Sequence, residues 1–396
     1  MKKPKICYIM PEHKINTYRH YQHLYDYFES LAKKVDLYIL IETGEPFPTK
    51  PANYDYYLVK HSNPLLARIE ILLILLFLRI KGYKIFYSHY SYRGALIASF
   101  ITNPLFGRTY LWHCMMVKKM QEEGKVSIKI QKNLFNTLNR VQHLVTGSNF
   151  MAKEYSKYGK FTIEKVVVVP NWIDLKRFNP KKYNKQEIRK ELGIPLGKKV
   201  ILFVHSFGAG KGPGFLPGIF YRMTQARDDL YFIVVGGVWP KEKEHKEQAE
   251  IFKEGIDQYK LWDILSWKGH IPNSEIHKYY LAADLFIMPS KFEGFSRVLL
   301  ESMAMGTPFV STTGGGGVLE YTSQLQQEFI IPPKDIEKRF HVLCLNLLHD
   351  ETKLKSLSEH GLKWVKRYDI ESILPIFIER VINGKHSYQN PLLSSE

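Results

Sequence analysis

One stretch limits what this chain can fold into. From Ala282 to Tyr321 it reads AADLFIMPSKFEGFSRVLLESMAMGTPFVSTTGGGGVLEY. The apolar run Leu285 to Met288 is short enough for a strand buried on both faces, a helix opens near Ser296, and a second apolar run follows from Phe309 to Ser311. Glycines then occupy positions 314 to 317. Strand, loop, helix, strand and glycine turn form one α/β unit, and open α/β sheets bind ligands in the loops at the carboxyl ends of their strands.

The loop and helix carry two carboxylates, Glu293 and Glu301, eight positions apart. If both lay on the helix, the rise alone would separate them by roughly 12 Å. A glycosidase pair needs about 5 to 9.5 Å across one bond, so the spacing better suits two ends of one elongated ligand. Between them, the backbone N–H groups of Gly294, Phe295 and Ser296 stand at a helix N-terminus, which favours an anion such as phosphate. Carboxylate, anion site and carboxylate in series fit the sugar, pyrophosphate and ribose of a nucleotide sugar. For an isolated pair a plainer reading stands beside this one: a solvated Glu301 and a first-turn Glu293 favoured by the helix dipole.

The company these residues keep favours the first reading. PSKFEGFSRVLLESMAMGTPFVST, from Pro289, resembles the E-x7-E signature of retaining, nucleotide-sugar-dependent glycosyltransferases of family 4, the group 1 transferases of GT-B fold. In that family the first glutamate faces the donor sugar and the second holds the ribose hydroxyls, which implies those roles for Glu293 and Glu301. GGVLE at Gly316 to Glu320 resembles the next glycine turn of the family, implying donor contacts at Gly316 and Gly317.

The rest of the chain is compatible with that architecture. Its 396 residues exceed one ordinary core, and a composition 45% hydrophobic and 14% aromatic can fill two. The excess of 56 Lys and Arg over 39 Asp and Glu gives +17, which calls for an anionic partner. No zinc spacing, basic zipper or RNA-motif aromatic pattern accompanies the charge, so a nucleic-acid role is not expected. Three widely separated cysteines, Cys7, Cys114 and Cys344, suggest neither a disulfide framework nor a metal cluster and fit a reducing cytoplasm. The opening MKKPKICYIM loses its apolar run at Pro11 and reads as a first strand rather than a signal peptide.

Taken in order, apolar strand runs alternate with amphipathic helix patterns from Lys5 to about Val169. The loop after the first strand lacks the glycines of the resembled family and offers His13, Lys14 and Arg19, side chains suited to an anionic acceptor. The run ILLILLFL, Ile71 to Leu78, is too short to span a bilayer. It reads either as a helix packed deep on the sheet or as a face resting on lipid between the basic flanks Arg68, Arg79, Lys81 and Lys84. His113 ends a strand, RTYLWHC; a lone His is more often structural, but the resemblance implies a His here that meets the donor sugar. Val117 to Arg140 reads as a mobile loop and a long helix on the acceptor side.

VVVVPNWIDLKRFNP resembles the family linker, matching Asn171, Asp174, Phe178 and Pro180 and placing Trp172 where the family has glycine. The second half then opens with KKVILFVHSFGAGKG, whose glycines 208, 210 and 212 would let backbone approach phosphate while Lys211 supplies a point charge. The family usually carries an arginine five residues before this lysine; here that position is Ser206, so either donor affinity is lower, or another cation such as His205 or Arg297 compensates, or donor binding is impaired. GHIPNSEIHKYY resembles the family segment whose loop, His270 to Pro272 here, lies against the nucleotide base. After Glu320 three helices follow, the last crossing back to the N-terminal half, and the tail from Asn383 reads as disordered.

The expectation is therefore an α/β chain of GT-B type with two Rossmann-like domains facing a cleft: residues 1–175 for the acceptor, 176–370 for the nucleotide sugar, and 371–396 as crossover helix and tail. The implied function is retaining transfer of a sugar, from a UDP donor, to a lipid-linked or glycan acceptor in cell-surface polysaccharide or glycolipid synthesis. Lys211 with the amides of Phe295, Ser296 and Arg297 would stabilise the leaving diphosphate. With no Asp-x-Asp motif, no metal or other cofactor is expected. The setting is cytoplasmic, at the inner membrane face. Three alternatives stand beside it: a non-hydrolysing sugar-nucleotide epimerase, a catalytically silent nucleotide-sugar-binding partner, and a DNA-directed transferase using the +17 charge.

Overall fold

The computed structural model describes residues 3–14, 22–102, 107–122, 124, 127–158, 162–239 and 242–393. The chain divides into two compact units, Met1–Asn171 with Ile370–Glu396, and Trp172–Asp369.

Among the described residues the first unit holds seven parallel strands: β1 Lys5–Met10, β2 Asp36–Ile41, β3 Asp55–Leu58, β4 Ile85–His89, β5 Arg108–Trp112, β6 His143–Thr146 and β7 Val166–Val168. Their order is β3-β2-β1-β4-β5-β6-β7. The second unit holds six: β8 Lys199–Val204, β9 Leu230–Val235, β10 Leu265–Gly269, β11 Leu285–Met288, β12 Phe309–Thr312 and β13 Ile330–Ile331, ordered β10-β9-β8-β11-β12-β13. Every pairing is parallel. Sequences such as CYIM, ILFV and LFIM are continuous apolar runs because helices cover both faces of such sheets. These are two Rossmann-like α/β units, as expected. In each, the order reverses next to the first strand, between β1 and β4 and between β8 and β11. Ligands of open α/β sheets bind at such reversals.

The linker region belongs to the second unit. Asn184 caps the helix Lys185–Glu191 by accepting from the Gln186 and Glu187 amides. Arg189 (2.6 Å) and Lys185 (2.9 Å) both pair with Asp284, whose carboxylate also accepts the Val200 N–H at the start of β8. The pairing cations hold the half-buried Asp284 carboxyl below its usual range despite the opposing effect of burial.

The helix Pro64–Ile80 keeps both of its readings open: Ala67, Ile71, Leu75 and Leu78 face the core with Cys7, Leu40 and Phe86, while the opposite face is in solvent. One expectation needs correction: the segment after Asn383 is not disordered through its described residues. The Val168 N–H donates to Ser387 O (2.9 Å), Arg380 Nη1 reaches Gln389 O (2.7 Å), and the Tyr110 hydroxyl hydrogen-bonds His386 Nε2 (2.8 Å). This segment satisfies backbone groups along the sheet edge at β7 that would otherwise need water. In the region expected as loop and long helix, the described residues form helices Val117–Glu122 and Ile128–Arg140.

Candidate active site

In the second unit the loops after β8 and β11 interlock. Lys291 N–H donates to Gly210 O (2.7 Å). Gly212 sits at φ +80°, where an added Cβ would lie 2.1 Å from Pro289 O. Only glycine permits this close approach and this backbone conformation. The interlock carries Lys211 to the Glu293 loop: Nζ lies 3.0 Å from Glu293 Oε1 and 3.3 Å from Phe292 O.

Glu293 is almost wholly buried, 4% exposed, yet ionised. Burial pushes its carboxyl up, but the Lys211 charge and the His205 hydrogen bond outweigh burial and hold it at about 2. His205 Nδ1 accepts the Ser206 N–H at 3.0 Å, so the proton of the neutral ring resides on Nε2, which faces Glu293 Oε1 at 3.5 Å. Burial, then the neighbouring Lys211 charge, push the His205 pKa down. The ring is therefore neutral at pH 7, a donor rather than a cation, and it supplies no charge in place of the family arginine. Ser206 stands next to it, at the end of β8. Arg297, the other candidate for compensation, directs Nη1 to the Trp172 carbonyl (2.8 Å).

The third loop, after β12, closes on the same glutamate. Glu293 N–H donates to Gly314 O (2.9 Å), and a Cβ at Gly314, φ +57°, would lie 2.5 Å from Glu293 Cβ. Gly316 follows, and Gly317 starts the short turn Gly317–Glu320. Phe295 stacks on Tyr321, centroids 4.2 Å apart. The Tyr321 hydroxyl accepts the Ser296 N–H at 2.9 Å. This corrects the expected amide cluster: the Ser296 amide is committed inside the protein, and its hydroxyl donates to Met288 Sδ (3.1 Å).

The helix Arg297–Ala304 carries Glu301, 5% exposed, whose carboxylate accepts from the buried Tyr280 hydroxyl (3.1 Å). Burial raises its pKa, opposed by the Arg297 and Arg177 charges and the Tyr280 bond. Glu293 and Glu301 are thus both buried in one unit, pushed in opposite directions, a divergence typical of functional carboxylates. His270, after β10, hydrogen-bonds Val238 O (3.1 Å), and Pro272 caps the following turn through its carbonyl.

In the first unit His113 follows β5 and is fully buried. Nε2 meets the Tyr92 hydroxyl at 2.7 Å and Nδ1 the Tyr155 hydroxyl, and burial pushes its pKa down to about 3. His13 is buried against Phe47 and Tyr25, with Nδ1 on Glu45 O. Lys14 pairs with Glu12 (3.1 Å), and Arg19 lies outside the described residues.

Sequence reasoning missed Glu42, at the carboxyl end of β2. Its buried carboxylate accepts from the Ser91 hydroxyl, the Gly94 N–H (2.8 Å) and Arg93 Nε (2.9 Å), fixing the start of the helix Tyr92–Ile101. An acid directly after an apolar strand was the available signal. Tyr90 beside it adopts φ +57°, uncommon for a bulky residue. Tyr280, Tyr321 and Gly314 were also missed; the first two reach the site across 21 and 25 residues, which no local pattern shows.

The pattern of the family Glycosyl transferases group 1 matches residues 184–364. Over 260 residues the chain is 25% identical to the D-inositol 3-phosphate glycosyltransferase of Segniliparus rotundus, covering 65% of this chain and 53% of that one. Over 208 residues it is 30% identical to the lipopolysaccharide core biosynthesis mannosyltransferase LpsB of Rhizobium meliloti, covering 52% and 57%. The chain thus spans about half the length of these relatives. Anabaena Alr3699/HepE, solved in complex with UDP, shares the fold with a TM-score of 0.74 at 17% identity, over 96% of this chain and 100% of that one. The group 1 match thus falls on residues 184–364, inside the second of two parallel-sheet units that share the GT-B class of folds.

Proposed function

We propose that this protein is a retaining glycosyltransferase that moves a sugar from a UDP donor to a lipid-linked or glycan acceptor in cell-surface polysaccharide or glycolipid synthesis, at the cytoplasmic face of the membrane. The observation that carries the proposal is the buried Lys211–Glu293–His205 contact at the reversal between β8 and β11. Its Glu293 and the buried Glu301 are the two glutamates of the E-x7-E pattern.

In this reading the diphosphate of the donor takes a share of the Lys211 charge, and Lys211 offsets the negative charge that grows on the leaving group. The Phe295 and Arg297 backbone contributes beside it, without the committed Ser296 amide. Glu293, ionised and braced on three sides, orients the sugar hydroxyls, while Glu301 takes the ribose. Gly316 and Gly317 line the phosphate, and the His270 to Pro272 loop meets the base. The acceptor belongs to the first unit, near the Glu42–Arg93 pair, with Lys14 and Arg19 as the proposed contacts to an anionic group and His13 bracing the loop, and His113 as the proposed contact to the donor sugar. Attack occurs from the leaving-group face, and a leaving-group oxygen accepts the acceptor proton. No metal ion takes part.

The relatives, one a D-inositol 3-phosphate glycosyltransferase and one a mannosyltransferase of lipopolysaccharide core biosynthesis, support an acceptor that is phosphorylated or lipid-borne. The UDP held by the Anabaena protein supports the choice of base. Titration calorimetry with UDP, GDP and ADP, on wild type and Glu301→Ala, tests it. Binding of UDP above the other two, weakened tenfold or more by the substitution, is expected. Absence of binding by any nucleotide would overturn the reading in favour of a protein that has lost its donor site with the Ser206 departure.

A further inference from the structure

The helix Pro64–Ile80 places large apolar side chains on both of its faces. Ala67, Ile71, Leu75 and Leu78 are buried, whereas Leu65, Leu66, Ile69, Leu73, Phe77 and Ile80 are 47% to 86% exposed. At 3.6 residues per turn the exposed set occupies an arc of roughly 120°, centred opposite the buried stripe. A solvated helix would carry polar residues there. Contiguous exposed apolar surface of this kind marks an interaction site.

The charges around the face identify the partner. Arg68 is exposed on the flank, Arg79 stands near the C-terminal end, and Lys81 and Lys84 follow exposed. Lys81 Nζ lies 4.4 Å above the Phe77 ring, at the border of the apolar arc. The helix has a single acid, Glu70, and it is turned inward: its carboxylate accepts from the Tyr57 hydroxyl (2.7 Å), the Lys60 N–H (3.0 Å) and His61 Nδ1 (2.8 Å). Despite partial burial, these bonds hold its carboxyl at about 2, so it stays an anion already satisfied from within. What faces outward is apolar and positive.

We infer that the exposed face of the Pro64–Ile80 helix is a docking surface for an anionic lipid membrane, with the helix lying in the interface plane. A helix of 17 residues is about 25 Å long, and among the described residues no helix is long and apolar enough to cross a bilayer. An amphipathic segment with aliphatic and Phe side chains bordered by Lys and Arg matches what headgroups and the upper acyl region accept. A second copy of the chain would bring two like-charged rims together, which charge complementarity disfavours. The inference extends the reading of a membrane-face transferase, and vesicle binding is measured apart from nucleotide binding, so failure of one leaves the other intact.

The test is cosedimentation of the full chain with vesicles of phosphatidylcholine alone or mixed with phosphatidylglycerol, for wild type and for Leu73→Glu with Phe77→Glu. Wild type is expected to pellet with the phosphatidylglycerol vesicles and to release with rising salt, and the double variant to lose tenfold or more of that binding while keeping its melting temperature. Equal pelleting of the two proteins, or none, overturns the inference. So does a wild-type dimer in size-exclusion chromatography that the variant splits without any lipid binding. Hydrogen exchange on vesicle-bound wild type needs no variant: protection should concentrate in residues 64–84, and protection confined elsewhere overturns the inference as well.

Discussion

Lys211 Nζ lies 3.0 Å from Glu293 Oε1 inside the second unit, joining by one ion pair the glycine-rich loop after β8 to the E-x7-E loop after β11. The close approach of these loops depends on Gly212 against the Pro289 carbonyl and Gly314 against Glu293, so backbone geometry brings the pair together. Replacing Lys211 by Ala leaves a buried carboxylate without its cation. We expect UDP affinity to fall by roughly 10- to 100-fold, the range for losing one charge-assisted bond of about 1.5–3 kcal/mol, as read by calorimetry.

Gly314→Ala tests the other wall of the same pocket. The added methyl group meets Glu293 Cβ and must adopt a positive φ. A loss of about 1–3 kcal/mol in stability is expected from such strain, visible in denaturant unfolding, together with weaker nucleotide binding because Glu293 is displaced.

Tyr280→Phe removes the hydroxyl that donates to the buried Glu301. The Glu301 pKa should rise further, and stability at pH 7 should drop by about 1–3 kcal/mol, the cost of leaving a buried acceptor unsatisfied. A pH dependence of nucleotide affinity that moves to higher pH in the variant than in wild type would be the accompanying readout.

In the first unit, Glu42→Ala strips the carboxylate from Arg93, Ser91 and the Gly94 amide at once. Removing one member of a buried pair costs about 3–5 kcal/mol, so a large fall in melting temperature is expected, with UDP binding by the second unit preserved if that unit remains folded.

Acid should destabilise the protein before its carboxylates titrate. His113 and His143 are pushed from the ordinary 6.5 down to about 3, by burial in both cases. The unfolded chain therefore binds more protons than the folded one between these values. Stability is complete above pH 6.5 and is lost as pH falls toward 3, with a slope of up to about 1.4 kcal/mol per pH unit for each group. Melting temperature followed from pH 8 to 4 checks the sign, and His113→Gln should flatten the curve.

Much of this was legible in the residues themselves. Strands such as KVILFV and LFIM show as unbroken apolar runs, and Ser296 marks the start of its helix, because burial on both sheet faces and helix entry are local demands. The edge strand Ile330–Ile331 is too short to leave a pattern. What escaped were contacts set by the whole sheet: Tyr321 taking the Ser296 amide, Tyr280 reaching Glu301, and Glu42 fixing a helix 50 residues on. The place of His113 after β5 shows in the sequence, but its partners Tyr92 and Tyr155 come from two separate helices, and only the fold brings them to both ring nitrogens.

The second unit is continuous, Trp172–Asp369, while the first is completed by Ile370–Glu396. On the ribosome the seven strands of the first unit emerge early yet lack the segment that closes β7 until some 200 residues later. During that interval the Val168 N–H and C=O at that edge lack their partners Ser387 and Arg380, and an unpaired strand edge is the kind of template that pairs with other chains. A nascent chain stalled before Ile370 should therefore be prone to aggregate, although all seven strands of its first sheet have already been made.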